Sequence, residues 1–297
     1  MTSTQLLFVH ALSPLHAGTG QSIGAIDLAI ARDRATQFPY LPGSSIKGSL
    51  RDVARQEFAQ NSSLVLKLFG PETGNASDHA GALIVSDANL LLLPVRSVAG
   101  TFAWVTSPYL LHRFARDAKA ANVNLSLPKL PSTVGSCVVG KSSALLANID
   151  SKDKVIFEDL DLDPAQDASV DTLADTLGKW IFDESYSYWQ GLLKHKLCIV
   201  HDDVMTFLSE HATDVVARIA LDDESKTVKN GQLWYEESLP TESILVGLVH
   251  AQPTAKVDLR PNDVLSHAKT IMEDSIQLGG KATVGRGRCQ LRLGVAP

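Results

Sequence analysis

Apolar and polar positions along this chain predict strands and helices in a repeated order. Residues 5 to 12 form a short apolar run that is typical of a buried strand. After a glycine-rich loop, apolar residues recur at helical spacing from about residue 44 to residue 58, and Ser44 or Ser45 is the expected N-cap. Residues 81 to 95 predict a second strand region. The polar side of the helix has a basic residue at every fourth position: Lys47, Arg51 and Arg55.

The end of the chain repeats this order. Residues 242 to 251 predict a strand, and residues 262 to 276 predict a helix with Asn262 as its cap. Residues 287 to 293 predict a final strand after a glycine-rich turn. Two β-α-β units are the order of a ferredoxin-like, RNA-recognition type fold, so we predict the α+β class.

A long insertion separates the two β-α-β units. We divide the single domain of residues 1–297 into a ferredoxin-like palm, residues 1–110 and 243–297, and an insertion, residues 111–242. Helices are expected after Ser107-Pro108 and near residues 171 to 195. Two strand-like stretches flank a polar turn that ends at Asn230-Gly231, which predicts a β-hairpin over residues 215–240.

Composition places the chain among ordinary globular proteins, since 44% of its 297 residues are hydrophobic and 20% are charged. No apolar run approaches the roughly 18 residues of a membrane-spanning helix, so no membrane partner is expected. The first basic residue is Arg32, so we expect no secretory signal with a charged start. Cys137, Cys198 and Cys289 are far apart and odd in number. We expect reduced thiols in a cytoplasmic protein rather than disulfides or a zinc site.

Charge is distributed unevenly along the chain. Within a net charge of −6, residues 150 to 175 hold nine acidic residues and two lysines, a local charge of −7. Residues 276 to 297 hold four basic residues and no acid. Because an electrostatic field depends on where the charges lie, the acidic total does not exclude a local RNA-binding surface.

Residues 135 to 142, GSCVVGKS, match the spacing of a nucleotide-binding P-loop. A P-loop requires a buried strand before it and a long helix after it, so that backbone amides cradle phosphates. Here Pro128 and Pro131 precede the motif, and about two helical turns follow it before Asp150. We therefore prefer a chance match, and a nucleotide hydrolase that uses Lys141 stays an alternative.

Two other patterns do not predict metal sites. Residues 159 to 170 resemble a calcium loop, but Pro164 stands where glycine is needed and Val170 where a bidentate acid is needed. We expect a solvated acidic loop there. A histidine–cysteine–histidine pattern within residues 195 to 201 would not converge on one metal from a strand, so core packing and a surface histidine are expected.

Three features together favour a site for phosphate groups. The first predicted helix begins directly after Gly43, where free amides and the helix dipole attract anions. Residues 279 to 288, GGKATVGRGR, combine four glycines, which allow close approach of the backbone, with three cations. The loop after the first strand places His16 and Asp27 on either side of two glycines.

These segments resemble a known family when they are taken together. The stretches HALSPLHAGTGQ, IDLAIARD, FPYLPGSSIKGSLR, LWYEESLP and IQLGGKATVGRGR occur in an order that resembles the RAMP superfamily of CRISPR proteins. Within it, the chain is most similar to the repeated backbone subunit of type III-B Cmr effector complexes. The similarity runs from near the N-terminus to near the C-terminus, with little contribution from residues 120 to 210.

The resemblance implies a modified RNA-recognition fold with a palm, an inserted helical region and a β-hairpin thumb. Copies of the subunit would stack in a filament along a CRISPR guide RNA, beside other Cmr subunits. Each thumb would interrupt the duplex with target RNA. The target would be cut beside each thumb by a metal-dependent endoribonuclease reaction, with Mg²⁺ or Mn²⁺ as the cofactor.

The resemblance also assigns site residues. The catalytic residues would be Asp27, which would also be the metal ligand, and His16, Tyr235, Glu236 and Glu237. The RNA-binding residues would be Ser44, Ser45, Lys47, Arg51, Gly279, Gly280, Lys281, Gly285, Arg286 and Arg288.

RNA supplies its own nucleophile, the 2′-hydroxyl beside each phosphate, so cleavage requires positioning, a proton acceptor and stabilisation of charge. Asp27 would ligate the metal or position this hydroxyl, His16 would donate to the phosphate or orient the loop, and Tyr235 would stack on an unpaired base. Two alternatives stay open: a guide-RNA scaffold without nuclease activity, and a single-copy enzyme that processes precursor guide RNA. The acid after the first strand, Asp27, favours the nuclease.

Overall fold

The computed structural model describes residues 3–20, 26–72, 79–222, 224–253 and 258–294. In chain order the strands are β1 (Ser3–Ala11), β2 (Tyr40–Leu41), β3 (Leu83–Val85), β4 (Ala88–Arg96), β5 (Phe102–Thr106), β6 (Ser136–Val139), β7 (Ala147–Ile149), β8 (Lys152–Phe157), β9 (Leu160–Gln166), β10 (Leu197–Val200), β11 (Asp214–Leu221), β12 (Val228–Ser238), β13 (Ile244–Ala251), β14 (Ile276–Gln277) and β15 (Arg288–Leu293). The helices are α1 (Gly43–Glu57), α2 (Ser62–Phe69), α3 (Pro108–Ala120), α4 (Ala168–Ile181), α5 (Ser187–Lys196), α6 (Asp202–His211) and α7 (Pro261–Thr270), with 3₁₀ turns at Glu184–Tyr186 and Ala282–Val284.

Four strands form a ferredoxin-like core. They lie in the order β15-β1-β13-β4, and each neighbouring pair is antiparallel. Central strand β1 pairs with β13 from Ser3, opposite Ala251, to His10, opposite Ile244. Because α1 follows β1 and α7 follows β13, each β-α-β unit crosses over one intervening strand. This is the α+β arrangement that the sequence predicts.

The same sheet continues beyond β4 into the insertion. The order there is β4-β5-β10-β6-β9-β8-β7, with β10 parallel to β5 and β9 parallel to β6. Apolar side chains cover both faces, with α1, α2, α6 and α7 on one face and α4, α5 and most of α3 on the other. In β1, Leu7 and Val9 belong to the first cluster, and Leu6 and Phe8 belong to the second. The continuous apolar run of β1 therefore reflects a strand that is buried on both faces.

Residues 159 to 170 do not form the solvated acidic loop that the sequence predicts. Strands β8 and β9 form a hairpin there, and α4 begins directly after it. Val155, Phe157 and Leu162 are buried, whereas the side chains of Asp161 and Asp163 are 59% and 76% exposed. Apolar and acidic side chains thus alternate with the period of a strand that is covered on one face.

Helix boundaries differ from the sequence expectations at three points. Pro42 occupies the cap position of α1, so Ser44 and Ser45 lie within the first turn. Asn262 lies inside α7 and does not cap it. The helix expected near residues 171 to 195 is divided into α4 and α5 by a 3₁₀ turn.

Strands β11 and β12 form a two-stranded hairpin outside the large sheet, where the sequence predicts one over residues 215–240. The predicted turn is wrong, because Asn230-Gly231 lies inside β12 and the chain reverses before Val228. The hairpin is attached to the palm at its base, since Leu239, one residue beyond β12, pairs with Leu15. Large apolar side chains of the hairpin are exposed: Val215, Val216, Ile219, Leu221, Val228, Leu233 and Tyr235.

The cysteines are free thiols in the core, as predicted. Burial raises the pKa of Cys289 to about 12, which makes this thiol unreactive at neutral pH. Cys198 is buried in β10, whereas His195 lies on α5 and His201 lies at the cap of α6. Within the described ranges, no helix is long and apolar enough to cross a membrane.

Candidate active site

A short extended segment, residues 28 to 31, is held between two other parts of the chain. On one side, the N–H of Leu28 donates to the carbonyl of Tyr235, and the N–H of Glu237 donates to the carbonyl of Leu28, both at 3.0 Å. On the other side, the N–H of Ala31 donates to the carbonyl of Ala17 at 2.8 Å. The residues that follow Asp27 are therefore fixed by backbone hydrogen bonds on both sides.

Asp27 comes directly before this segment, and its side chain is exposed. Its Oδ2 accepts a hydrogen bond from the backbone N–H of Tyr235 at 2.8 Å. Tyr235 lies on hairpin strand β12 and is 42% exposed. The fold thus brings an accessible carboxylate to an accessible aromatic residue that lies 208 positions away in the chain.

Glu236 is 3% exposed, so its carboxylate does not face solvent. Its Oε1 accepts hydrogen bonds from Lys281 Nζ at 2.7 Å and from the Trp234 indole N–H at 2.8 Å, and Arg218 Nε lies 3.4 Å from Oε2. Burial raises the pKa of Glu236, but these hydrogen bonds and the charges of Lys281 and Arg218 have a larger, opposite effect and lower the pKa to about 2. An ionised, paired carboxylate of this kind suits attachment of the hairpin to the glycine-rich loop better than proton transfer.

Glu237 is also covered, at 2% exposure. Its Oε1 lies 2.5 Å from Arg32 Nη2 and accepts from the Thr213 hydroxyl at 3.0 Å. Its Oε2 accepts from the backbone N–H of Ile30 at 3.1 Å. Because every one of these donors is internal, the geometry favours a role in holding the site, while a direct catalytic role stays a prediction.

His16 is 6% exposed and packs against glycines. Its Nδ1 donates to the backbone carbonyl of Glu237 at 2.7 Å, which leaves Nε2 as an acceptor in the neutral ring. A Cβ at Gly18 would lie 2.7 Å from this Nε2, so a larger residue would displace the ring. The carbonyl of His16 accepts from the N–H of Gly280 at 2.9 Å. His16 therefore joins the loop after β1 to the hairpin and to the glycine-rich loop.

The glycine-rich loop requires glycine at two positions for two separate reasons. Gly279 and Gly287 have φ angles of 70° and 79°, in the left-handed region that favours glycine. A Cβ would also lie 2.4 Å from the carbonyl oxygen of His16 at the first position and 2.0 Å from that of Leu278 at the second. Gly285 shares the positive φ, 78°, but a Cβ there would meet no atom within 4 Å.

The three cations of this loop have partners within the chain. Lys281 binds Glu236, as described above. Arg286 is 8% exposed, and its Nη1 donates to the Ser238 hydroxyl at 2.6 Å. Arg288 is exposed, and its Nε donates to the hydroxyl of Ser275 at 3.1 Å. Contact of these residues with RNA phosphates stays a prediction.

A cleft of about 410 Å³ lies between the loop after β1, the first turn of α1 and the glycine-rich loop. Its lining residues are Ala17, Gly18, Pro42, Ser44, Ser45, Gly48, Ser49, Gly279 and Gly280. Four predicted RNA-binding residues, two serines and two glycines, therefore meet at one surface. Small side chains let a phosphate backbone approach closely. The helix amides that the sequence predicts to be free are mostly occupied, since the N–H of Gly43 donates to Asp87 Oδ1 at 2.7 Å and those of Ser45 and Ile46 donate to the carbonyl of Pro42.

Of the three basic residues on α1, Lys47, Arg51 and Arg55, one is unpaired among the residues that the structure describes. Arg51 Nη2 donates to the carbonyl of Gly70 at 3.0 Å and lies 3.3 Å from Glu72. Arg55 also binds Glu72, at 2.8 Å. Lys47 has no hydrogen bond or ion pair with any part of the chain that the structure describes, and burial and the charge of Arg51 lower its pKa.

The GSCVVGKS segment is not a phosphate cradle. Strand β6 lies inside the motif instead of before it, and a turn and β7 follow Ser142 where a P-loop has a helix. The N–H groups of Lys141 and Ser142 donate to the carboxylate of Asp171 at 2.7 and 3.3 Å. Because an internal carboxylate binds the amides that a phosphate would need, the structure does not support a nucleotide hydrolase.

The sequence does not reveal several residues that complete the site. Arg32, Thr213, Trp234 and Arg218 bind the two buried glutamates. Arg32 lies 205 positions from its glutamate, so no local pattern indicates the pair.

Among the site carboxylates that the structure describes, the exposed one of Asp27 is accessible to a divalent ion, whereas Glu236 and Glu237 are buried. No group of three or more histidine, cysteine, aspartate or glutamate side chains that could hold a metal occurs among the described residues. Mg²⁺ often binds one or two protein carboxylates, keeps several waters and takes further oxygens from a phosphate substrate. The exposed carboxylate of Asp27 is compatible with that coordination.

Comparison with known proteins identifies the family. The model of the RAMP superfamily matches residues 8–290. The CRISPR system Cmr endoribonuclease Cmr4 of Pyrococcus furiosus is 32% identical over 291 residues, which cover 97% of this chain and 95% of that protein. The CRISPR system CMR subunit Cmr4 of Saccharolobus solfataricus is 25% identical, over 98% of this chain and 96% of that protein. A crystal structure of oligomeric Cmr4 from Pyrococcus furiosus superposes with a TM-score of 0.74 at 26% identity, over 98% of this chain and 97% of that one. The chain therefore belongs to the RAMP superfamily.

Proposed function

We propose that this chain is the repeated backbone subunit of a type III-B CRISPR effector complex and that it cleaves target RNA. The similarity over nearly the whole chain to a protein named as a Cmr endoribonuclease supports this proposal. One structural observation supports it most: the exposed carboxylate of Asp27 is held by the N–H of Tyr235 at the base of a hairpin. In this proposal, copies of the chain stack along a guide RNA with other subunits of the complex.

The small-residue cleft is the proposed contact with the guide RNA backbone. Ser44, Ser45, Gly279 and Gly280 line it, and Lys47 lies one turn along α1 from Ser44. His16 connects this cleft to the hairpin through its hydrogen bonds to Gly280 and Glu237. Guide binding and target cleavage would thus occur on adjoining parts of one surface.

Cleavage would use the 2′-hydroxyl of the target RNA as nucleophile. Its oxygen would bond to the adjacent phosphorus, and the bond from phosphorus to the 5′-oxygen of the next nucleotide would break, with water protonating that oxygen. Asp27 would orient this hydroxyl or accept its proton, and the exposed ring of Tyr235 would stack on a base that is displaced from the duplex. His16, which is buried, would act by orienting the loop. A divalent ion held by Asp27 and by phosphate oxygens would supply stabilisation of the charge that develops on the phosphate.

The decisive experiment compares wild type with Asp27→Ala and Asp27→Asn in the assembled complex. We expect both variants to lose cleavage of complementary RNA by about 10²- to 10⁴-fold, because a positioned proton acceptor contributes about that much. Retention of guide RNA and affinity for target RNA should be unchanged. Asp159→Ala, which removes an exposed aspartate in the β8–β9 turn, is the matched control.

Normal cutting by the Asp27→Ala complex would contradict the assignment of Asp27. If the wild-type complex retains guide RNA and target RNA but cuts neither with Mg²⁺ nor with Mn²⁺, the chain is a scaffold without nuclease activity.

A further inference from the structure

Arg32 and Glu237 form an ion pair beside the segment that follows Asp27. Their side chains are 10% and 2% exposed, and Nη2 of the arginine lies 2.5 Å from Oε1 of the glutamate. We propose that this pair positions Asp27 for catalysis without touching the RNA itself. The inference rests on the proposed function, since it deepens the account of the same site.

Glu237 holds the segment after Asp27 through both its backbone and its side chain. Its N–H donates to the carbonyl of Leu28 at 3.0 Å, and its carboxylate accepts from the N–H of Ile30 at 3.1 Å. Its own carbonyl accepts from His16 at 2.7 Å. Glu237 thus binds the segment at Leu28 and at Ile30, and it also binds His16.

Arg32 fixes the carboxylate of Glu237 in the orientation that Ile30 requires. The same guanidinium donates to the carbonyl of Gln37 at 2.8 Å and to that of Ser209, near the end of α6, at 2.9 Å. A planar guanidinium can satisfy three acceptors in fixed directions, whereas a lysine ammonium would not reproduce this arrangement. The pair is therefore anchored to α6 and to the turn after Arg32, outside the segment that it holds.

Two side-chain hydrogen bonds tie Asp27 and the segment that follows it to β12. Asp27 Oδ2 accepts from Tyr235, and Ile30 donates to Glu237. Tyr235 and Glu237 are two positions apart in β12, and Asp27 and Ile30 are three positions apart. Ala31 stays bonded to Ala17 when the Ile30 contact is lost, but the segment then has one link fewer to β12, so the Asp27 carboxylate would rotate and shift relative to the hairpin. Displacements of about 1 Å in a catalytic group can reduce rates about 100-fold.

The test uses Arg32→Ala, Arg32→Lys and Glu237→Gln in the assembled complex. Arg34→Ala and Glu210→Gln are matched controls, because both residues are exposed and their side chains have no partner in the described structure. Four quantities are measured: guide RNA retention, target RNA affinity, the single-turnover cleavage rate with nucleotide-resolution mapping of the cuts, and amide hydrogen exchange of the peptide that covers residues 26–32.

We expect Arg32→Ala to reduce the cleavage rate about 10- to 100-fold and to spread the cuts over neighbouring phosphodiesters, with target affinity within about threefold of wild type. Exchange of the peptide should accelerate. Glu237→Gln should have a smaller effect, because the amide oxygen still accepts from Ile30. Arg32→Lys should restore only part of the rate, and the controls should match wild type.

If Arg32→Ala does not assemble, Arg32→Lys and Glu237→Gln decide the question. The proposal is overturned if these variants cut at the wild-type rate and positions, or if their rate falls only in proportion to assembly while exchange is unchanged. Failure of the proposed function has a different signature. In that case Asp27→Ala cuts normally, and the accelerated exchange in Arg32→Ala reports the positioning contact alone.

Discussion

Replacement of Glu236 by glutamine tests whether an ion pair attaches the hairpin to the glycine-rich loop. The substitution keeps the shape of the side chain and its acceptor for Trp234, but it removes the charge that Lys281 and Arg218 face. Any loss of stability therefore reports the charge and not the packing. The expected loss depends on pH in a direction that the structure fixes.

The magnitude follows from the pKa of Glu236, which is lowered from its ordinary value of 4.5 to about 2 in the folded chain. Each pKa unit corresponds to roughly 1.4 kcal/mol, so the ionised carboxylate stabilises the fold by about 3 kcal/mol at pH 7. Because the folded pKa is the lower one, this stabilisation is complete above pH 4.5 and is lost as the pH falls toward 2. At pH 3 about 1 kcal/mol of it should remain.

Urea unfolding of the purified chain, followed by tryptophan fluorescence, measures the free energy of unfolding at pH 7, 5 and 3. The difference between wild type and Glu236→Gln should be about 3 kcal/mol at pH 7 and 5, and should shrink to about 1 kcal/mol at pH 3. Glu210→Gln, at an exposed position of α6, should change stability by less than about 0.5 kcal/mol. Equal stability of wild type and Glu236→Gln at pH 7, or a difference that does not shrink at pH 3, would refute the reasoning.

Three further predictions concern other parts of the molecule. The slope of log RNA affinity against log salt concentration counts phosphate contacts. Lys47→Ala should reduce this slope by about one contact, while Arg55→Ala should leave it unchanged, because Arg55 is already paired with Glu72. Gly287→Ala should lower the free energy of unfolding by about 2 kcal/mol or more, because its Cβ would lie 2.0 Å from a carbonyl oxygen at a φ of 79°. In the same urea titration, Gly135→Ala should change this free energy little, because a Cβ there meets no atom within 4 Å. Asp171→Ala should destabilise the chain by about 1 to 3 kcal/mol through the unpaired amides after β6, and ATP should raise the melting temperature of neither this variant nor wild type.

The sequence predicts the palm well because its elements have simple periods. Strand β1 is a short apolar run, and α1 has an apolar residue on every turn, so both follow from local patterns. Strands β8 and β9 do not, because the density of aspartates hides an alternation of period two. The burial of Glu236 and Glu237 also escapes prediction. Their partners come from distant segments, and a pair of adjacent acids in a strand is usually solvated.

The residues of the candidate site are predicted only in part, because the contacts between them join distant segments of the chain. The resemblance places Asp27, His16 and the glycine-rich loop in one neighbourhood, and the structure brings these segments together. The resemblance does not show that Asp27 is accessible and Glu237 is covered, since that difference depends on the fold around Arg32.

Adjacent residues at the base of β12 point in opposite directions, and this restricts where the hairpin can change in length. Glu236 and Ser238 bind the glycine-rich loop through Lys281 and Arg286, whereas Glu237 binds the segment after Asp27. A one-residue insertion or deletion at this base would exchange the two directions, because successive strand residues face opposite sides. It would place the wrong glutamate opposite each partner. The contacts described here do not restrict the part of the hairpin before Trp234, so natural variation in hairpin length should fall there and spare the six residues from Trp234 to Leu239.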